Sequence, residues 1–581
     1  MKSRIAGLET EYAIKYYPDP KSEQTKIVLT ERELFDIISG ILEKREFEKL
    51  YSDPDYRVRF IDLFGDDYIP EVPLINKPMM FMSNGSRFYM DTGFHPEYAT
   101  PECKNALDIL VYDRAGESLL EDLIMITQRK LKEQGFHGDI FVSKNNVDIN
   151  GNTYGCHENY MVSRKIKGQD EEKYFRFMTD NLIPFLVTRM IFAGSGKILS
   201  GDQLQYQISQ RADYINSEIS STTTSNRGII NSRDETLGDS KNYRRLHLII
   251  GDSNMGDIPT FLKIGTTCIV LRMIEDLFID FDNLIDNPVS VMKQISHDLT
   301  FSMKIPMKNG KFSTALDIQF QYLESAKRYF NSGKVRFSKV EMMVMKLWEK
   351  ILLDIRENPA SLHTMLDWAT KKMLIDRLLK KEGLTYEDLS SWSFIINNIK
   401  KRNLENRIFA MKDKNPSFDI TSFLRENMVD IEFNHFLMYI KESNLNLNDY
   451  YKMLDIHYKV IERDIRFHDI RQDKGIFYFL EKKGIVKKIL DKKLKRKVIL
   501  AKTKPPVNTR AKLRSEFIHF VSKHGIKGEA NWDSLTILNG EKFVVDINSP
   551  FKTTSFQVEK LFEMLKENEK LNQNNENNTN P

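Results

Sequence analysis

Residues 3–16, SRIAGLETEYAIKY, alternate at the two-residue period of a strand, which sets Glu9 and Glu11 on one face and Leu8, Thr10 and Tyr12 on the other. A second run repeats the pattern. In FMSNGSRFYMDTG, residues 81–93, Arg87, Tyr89 and Asp91 share a face opposite Phe88 and Met90. One E-x-E reads simply as an exposed strand face; two strands of this kind demand more. Ionisable groups cannot be buried unpaired, so such strands need a sheet with one apolar face and one open polar face. A turn containing Gly93, His95, Pro96 and Glu97 follows at once and re-aims polar groups at a strand end. Converging carboxylates of this kind suit a hard cation such as Mg²⁺ beside phosphates.

Further polar clusters follow in chain order. YGCHENY (154–160) places His157, Glu158 and Asn159 where the chain leaves the turn-rich NGNTYG stretch. A lone histidine there is ordinarily a structural hydrogen-bonder, and only its company makes it a candidate ligand. INSRDE (230–235) carries Arg233, and RRLHLIIGDSN (244–254) sets Arg245 and His247 on one strand face. Arginines aimed at a carboxylate site suit the charge of a transferring phosphoryl group. LQYQISQR (204–211) reads as another strand, with Gln205, Gln207 and Ser209 on one face.

Between these clusters the first half is mixed α/β. Thr30 with Glu33 forms a capping box that opens a helix over TERELFDIISGILEK. Residues 43–78, with Asp-Pro, Gly-Asp and repeated prolines, read as a long irregular excursion. Helices are expected over 104–134, 178–193 and 258–279, strands over 139–145 and 244–251, and a nearly all-helical stretch from about 320 to 480. Residues 481–566 read as a smaller mixed unit, and the low-complexity tail 567–581 as disordered.

Other chemistries drop out. Gly194-Ser195-Gly196-Lys197 imitates a phosphate loop but lacks the first glycine and has Ile198 where Ser or Thr is needed, so it reads as a helix end. There is no H-E-x-x-H, G-x-S-x-G or G-x-G-x-x-G. Three widely spaced cysteines leave no disulfide framework. With 86 Lys+Arg against 82 Asp+Glu, the net charge of +4 announces neither nucleic acid nor membrane. No apolar run reaches the ~18 residues a bilayer span requires, so a soluble, cytoplasmic protein is expected. The run KKGIVKKILDKKLKRK (482–497) is locally very basic, and reads either as a solvated helix face or as a docking surface for an acidic partner.

In this order, GLETEY (7–12), NGSRFYMDTGFHPEYATPE (84–102), KNNVDINGNTYGCHENY (144–160), SQRADY (209–214), RGIINSRDE (227–235), YRRLHLIIGDSN (243–254) and PPVNTRAKLRSEF (505–517) resemble the Pup ligase and depupylase family. The resemblance implies an α+β fold: a glutamine-synthetase-like curved antiparallel sheet flanked by helices over 1–480, with a small C-terminal domain over 481–566. Residues 43–78 and a helical insertion at about 385–455 would be additions to it. The implied cofactors are ATP and Mg²⁺. The implied partners are Pup, or a Pup-like small acidic modifier, and lysine-bearing target proteins, with no nucleic acid and no membrane. In the ligase branch the modifier's C-terminal glutamate side chain becomes an acyl phosphate that a target lysine attacks.

Matched residue by residue, Glu9 resembles a metal ligand, with Tyr89 and Glu97 completing its surroundings. Glu11, His157 and His247 resemble further metal or phosphate contacts, and Asp91 the general base. Arg87 and Thr100 resemble ATP contacts and Trp532 an adenine-side contact, while Arg233 and Arg245 suit phosphate charge. Two branches stay open. The six-residue step from Asp91 to Glu97, Cys156 within YGCHENY, GDSNM and FHDIRQDKGIFYFLEKKG (467–484) resemble the ligase. RGIINSRDE and the 43–78 excursion resemble the depupylase, which hydrolyses the same isopeptide bond. The ligase features weigh more. A non-catalytic modifier-binding protein and a small-molecule carboxylate–amine ligase are the remaining alternatives.

Overall fold

The computed structural model describes residues 4–21, 29–43, 46–64, 71–76, 80–91, 93–148, 151–166, 170–198, 204–279, 282–415, 418–539 and 541–565. The expectation for the 567–581 tail lies outside the described residues. Strands β1 (Ala6–Glu11) and β2 (Ala13–Pro18) part at Tyr12, whose N–H donates to the Pro96 carbonyl at 2.8 Å. The run 3–16 is therefore two strands in two sheets and not one. Helix α1 (Glu31–Glu43) opens on the expected capping box: Glu33 N–H donates to Thr30 Oγ1 at 3.2 Å and Thr30 N–H to the Glu33 carboxylate at 2.7 Å.

The excursion departs from its expected irregularity. It contains helices α2 (Glu46–Ser52) and α3 (Pro54–Phe64) before the short strands β3 (Ile75–Asn76) and β4 (Phe81–Met82). Pro54 stands at the first helical position of α3, where a missing N–H costs nothing, so Asp-Pro opens a helix here. Leu50, Tyr51 and Tyr56 are buried, and both tyrosines donate to Asp122.

Strands β5 (Arg87–Met90), β6 (Pro96–Ala99), β7 (Gly138–Ser143) and β8 (Cys156–Ser163) follow, with helix α4 (Ala106–Glu133) between β6 and β7. After α5 (Glu171–Thr188) and α6 (Met190–Ala193) come β9 (Lys197–Ile198) and β10 (Tyr206–Gln207). The strand expected over 204–211 is thus only two residues long. The rest is held by Asp252, which accepts from Ser195 N–H, Ser209 Oγ, Gln210 N–H and Arg211 N–H at 2.9–3.1 Å. Strands β11 (Ser217–Ser220), β12 (Gly228–Asn231) and β13 (Tyr243–Leu248) complete the main sheet.

That sheet has nine strands in the order β11-β12-β13-β8-β1-β6-β5-β4-β3. Every pairing is antiparallel except β11 with β12. β2 and β7 form a separate antiparallel ribbon. On one face Leu8, Phe88, Tyr98, Tyr160, Leu246 and Leu248 are buried beneath α4 and α7 (Asp257–Glu275). A side chain at Gly116 of α4 would overlap the Tyr98 ring, so glycine lets the helix approach the sheet. The other face carries the ionisable residues of every second position.

Helices α8 (Pro288–His297), α9 (Ala315–Asn331), α10 (Lys339–Glu357) and α11 (Asp367–Glu382) enlarge the main core. α12 (Tyr386–Lys401), α13 (Glu405–Lys414), α14 (Ile420–Asn427), α15 (Asp430–Glu442) and α16 (Tyr450–Phe467) share a separate core of Trp392, Ile396, Phe423, Phe433, Phe436 and Met453, among others. After α17 (Ile476–Lys482), the basic run becomes α18 (Lys492–Leu500), whose Leu494 and Val498 pack on the main core beside α4. α19 (Ala511–His524), the sheet β16 (Gly528–Ala530), β17 (Ser534–Asn539) and β18 (Glu541–Asp546), and a helix over 556–565 enclose a C-terminal core. Asn76 in β3 donates to the Gly528 carbonyl at 2.8 Å and accepts from Ala530 N–H at 2.7 Å, joining this unit to the edge of the main sheet. Among the described residues, no helix is long and apolar enough to cross a membrane.

Candidate active site

Strand register brings the sequence-predicted residues together. Glu9 lies opposite His157 on β8 and Ala99 on β6; Glu11 lies opposite Glu97, and Glu97 opposite Tyr89. His247 on β13 lies opposite Asn159. The Glu9 carboxylate is 3.6 Å from His157 Nδ1, 3.7 Å from His247 Nε2 and 3.9 Å from Arg245 Nη1. Glu11 meets His95 Nδ1 at 2.8 Å, and the His95 ring lies 4.3 Å from that of Tyr154. Donor atoms of Glu9, His157 and His247 fall within 4.8 Å of one another, as do those of Glu11, Asp91 and His95.

The electrostatics differ sharply between neighbouring carboxylates. Burial opposes ionisation of Glu9, but His157, His247 and Arg245 outweigh it and hold its carboxyl down to about 2. Burial, reinforced by Glu9, Glu11 and Asp91, pushes Glu97 well above the carboxylate range. Burial pulls His247 down to about 3, so its imidazole is neutral at physiological pH. Tyr89 is pushed well up by burial and then by Glu97. Arg87 lies over the Tyr89 ring at 4.2 Å.

A bound cation would relieve what these groups lack. Four carboxylates, Glu9, Glu11, Asp91 and Glu97, converge on one face, and oxygen donors of that density suit Mg²⁺. Both His247 ring nitrogens and Asn159 Oδ1 are buried without a hydrogen-bond partner among the described residues. The imidazoles are softer donors than Mg²⁺ prefers, which favours His157 and His247 as phosphate-side hydrogen-bonding groups.

Beside this cluster opens a cleft of about 740 Å³, counting its solvent-facing mouth. It is lined by Gly7, Glu9, Thr100, Arg245, Arg510 and Trp532, among others. Thr100 Oγ1 accepts from Leu8 N–H at 3.0 Å, fixing the cleft wall to β1. Trp532 is set by Phe81 at 4.9 Å and by the Arg514 guanidinium at 4.8 Å. Thr100, Arg245 and Trp532 thus line the cleft. Arg87 does not; it lies toward the Tyr89 side. Arg233 does not line it either; it stands half exposed, with Glu235 at 3.8 Å.

Several wall groups escaped the sequence reading. Arg510 donates to Glu102 at 2.8 Å and to the Leu237 carbonyl at 2.7 Å, tying the C-terminal unit to the segment 236–239. Its signal was the Arg510/Arg514 pair four apart on a helix, matched by Glu102 after Thr100-Pro101. Arg211 and Arg227 also direct charge at Glu11.

A family model described as Pup-ligase protein matches residues 4–401 and 440–536. The Pup–protein ligase of Saccharomonospora viridis is 35% identical over 488 residues, 84% of this chain and 90% of its own. That of Kribbella flavida is 35% identical over 484 residues, 83% and 89% of the two chains. The crystal structure of the complex between the prokaryotic ubiquitin-like protein Pup and its ligase PafA aligns with a TM-score of 0.70 and 28% identity, covering 97% of this chain and 93% of that one. The structure of PafA in complex with ADP aligns with a TM-score of 0.64 and 30% identity, covering 84% and 90%.

Proposed function

The chain belongs to the Pup-ligase family, and from that premise we propose that it is an ATP-dependent ligase joining a Pup-like modifier to lysines of target proteins. The observation that carries this reading is the adjacency of two features: four carboxylates converging on one sheet face, and a cleft opening beside them. ADP bound to the related PafA supports nucleotide in the cleft, and PafA in complex with Pup supports the partner. A cytoplasmic setting accompanies this reading.

In this reading the adenine side of ATP lies between Thr100 and Trp532, and its phosphates reach toward Arg245 and the Glu9 cluster. Glu9, Glu97 and Glu11, with Tyr89 beside them, would hold Mg²⁺, which would offset phosphate charge when bound. The modifier's C-terminal glutamate carboxylate attacks the γ-phosphorus, giving an acyl phosphate and ADP. His247, neutral at working pH, offers one N–H to phosphate oxygen. Asp91, at the open end of β5, takes a proton from the target lysine ammonium so that the free amine can attack the acyl carbon. Phosphate leaves and an isopeptide bond remains. α18 lies on α4, beneath the sheet face opposite the carboxylates, so a modifier steered by that helix must pass around the sheet edge to reach the site.

The test is direct. Chain, ATP, Mg²⁺, a Pup-like peptide ending in Glu and a lysine-bearing protein should yield a higher-mass conjugate and ADP. Asp91→Asn should lower turnover by at least about a hundredfold while ADP affinity is kept. A chain that cleaves preformed conjugate and makes none would be a hydrolase, and near-normal turnover of Asp91→Asn would remove Asp91 as the base.

A further inference from the structure

The C-terminal sheet has one edge covered and one open. Its strands run in the order β16-β17-β18, and β16 is tied to the main sheet through Asn76. At the far side, among the described residues, β18 pairs with β17 alone. Two hydrogen bonds fix which backbone groups this leaves open. Leu538 N–H donates to the Lys527 carbonyl at 2.9 Å, and Ile547 N–H to the Asp533 carbonyl at 2.7 Å. Bonding alternates along an antiparallel ladder, so residues 534, 536 and 538 turn their backbone to β16, and 543, 545 and 547 turn theirs to β17. The N–H and C=O groups of Lys542, Val544 and Asp546 therefore point out from the edge.

Open edges are ordinarily blunted by a bulge, a proline or a lysine. β18 has neither bulge nor proline: its register with β17 is unbroken from Ser534 opposite Asp546 to Asn539 opposite Glu541. Phe543 and Val544 are 46% and 48% exposed. Lys542, Val544 and Asp546 share one face of the strand, and Phe543 and Val545 the other. Lys542 and Asp546 are exposed, and neither has an ion-pair partner among the described residues. The strand is anchored where it ends, because the Ile547 and Asn548 carbonyls accept from Arg510 at 3.3 and 3.2 Å.

We propose that β18 docks on the β18 of a second copy of this chain, antiparallel, about a two-fold axis at Val544. Outward-facing residues must pair with outward-facing residues across such an edge, so the possible registers step by two. The register centred on Val544 engages all three of them. It sets Lys542 opposite Asp546 of the partner subunit, and Asp546 opposite the partner's Lys542. About six backbone hydrogen bonds close the join; Val544 meets the partner's Val544, and Phe543 the partner's Val545. A lysine that blocks an edge by meeting its own kind is matched here by an acid, so the charge that repels other registers selects this one. An acid four residues after a lysine is self-complementary when two identical strands run antiparallel, which is why the occupant is a second copy. Nothing here depends on the ligase reading.

Sedimentation equilibrium of the full chain over about 1–200 µM tests this. A reversible monomer–dimer equilibrium is expected, weak because a single strand join is small, with a Kd on the order of 10 µM. Lys542→Asp and Asp546→Lys each set like charges face to face at both ends of the join. Either alone should weaken it at least about tenfold. Mixing the two single variants should restore pairing to within about threefold, since every charge then faces its opposite. The double variant Lys542→Asp/Asp546→Lys should do the same by itself. Both positions are exposed, so neither reversal disturbs the core. A chain that stays monomeric throughout, or a dimer indifferent to either reversal, overturns the proposal. So does a mixture that pairs no more tightly than the single variants alone.

Discussion

Glu97 shows how much chemistry a single register position can carry. It lies opposite both Glu11 and Tyr89, and burial, reinforced by Glu9, Glu11 and Asp91, pushes its carboxyl well above the carboxylate range. Which side chains share a face was legible because strand alternation fixes it, Glu9 with Glu11 and Arg87 with Tyr89 and Asp91, but Glu97, which the sequence places in a turn, stands instead in β6. Arg510 and Leu237 were not legible, since their convergence joins segments more than two hundred residues apart; Leu237 also adopts a φ of 46°, which no pattern announces. Gly155 is the sharpest local constraint. A Cβ there would overlap the Glu11 carboxylate and the His157 ring. Gly155→Ala should therefore shift both groups by a fraction of an ångström to an ångström and cost on the order of a hundredfold in turnover. The circular dichroism spectrum should stay unchanged; retained turnover would show that the site absorbs the intrusion.

Helices α2 and α3 mark where element-level reading failed. In the α3 sequence Tyr56, Val58 and Phe60 alternate at the two-residue period of a strand rather than at a helical one, and Asp53-Pro54 looks like a break. What stabilises them is tertiary: Tyr51 and Tyr56 close over Asp122 of α4, where Lys502 pairs with the same carboxylate. This buried cluster clamps the excursion, α4 and the chain after α18 to one another. Lys502→Met would leave the Asp122 carboxyl without its cationic partner in the core, and removing one partner of a buried pair costs about 3–5 kcal/mol. Urea denaturation should show that loss, while the double variant Lys502→Met/Asp122→Asn should recover much of it. A loss under 1 kcal/mol would mean that the tyrosines alone satisfy Asp122. The failure at 204–211 has a related cause: Asp252 supplies the hydrogen bonds that a neighbouring strand would otherwise provide. The 385–455 stretch was read as helical and is; the family model passes over 402–439, which is α13, α14 and most of α15.

At the scale of the molecule, one carboxylate fastens the C-terminal unit to the main sheet. Glu102 pairs with Arg510 at 2.8 Å and with Arg514, and although burial opposes it, the two arginines bring its carboxyl from an ordinary 4.5 down to about 2. The folded state therefore gives up this proton more readily than the unfolded chain. Its contribution, about 3 kcal/mol, is present in full above about pH 5 and is lost as pH falls toward 2. Acid titration followed by Trp532 fluorescence, with other tryptophans replaced, should show the C-terminal unit loosening in that window, and Glu102→Gln should flatten the pH dependence. A transition identical in both chains would locate the acid sensitivity elsewhere. The Asn76 bridge between β3 and β16 adds something separate from catalysis. A nine-stranded sheet ends in a strand whose free ladder invites any other extended chain to pair with it. Here the side chain of Asn76 stands in for backbone and hands that ladder to the protein's own C-terminal sheet. The unit that walls the cleft beside the carboxylates thereby also guards that edge against self-association, so shortening the chain from its C-terminal side should give a new tendency to aggregate.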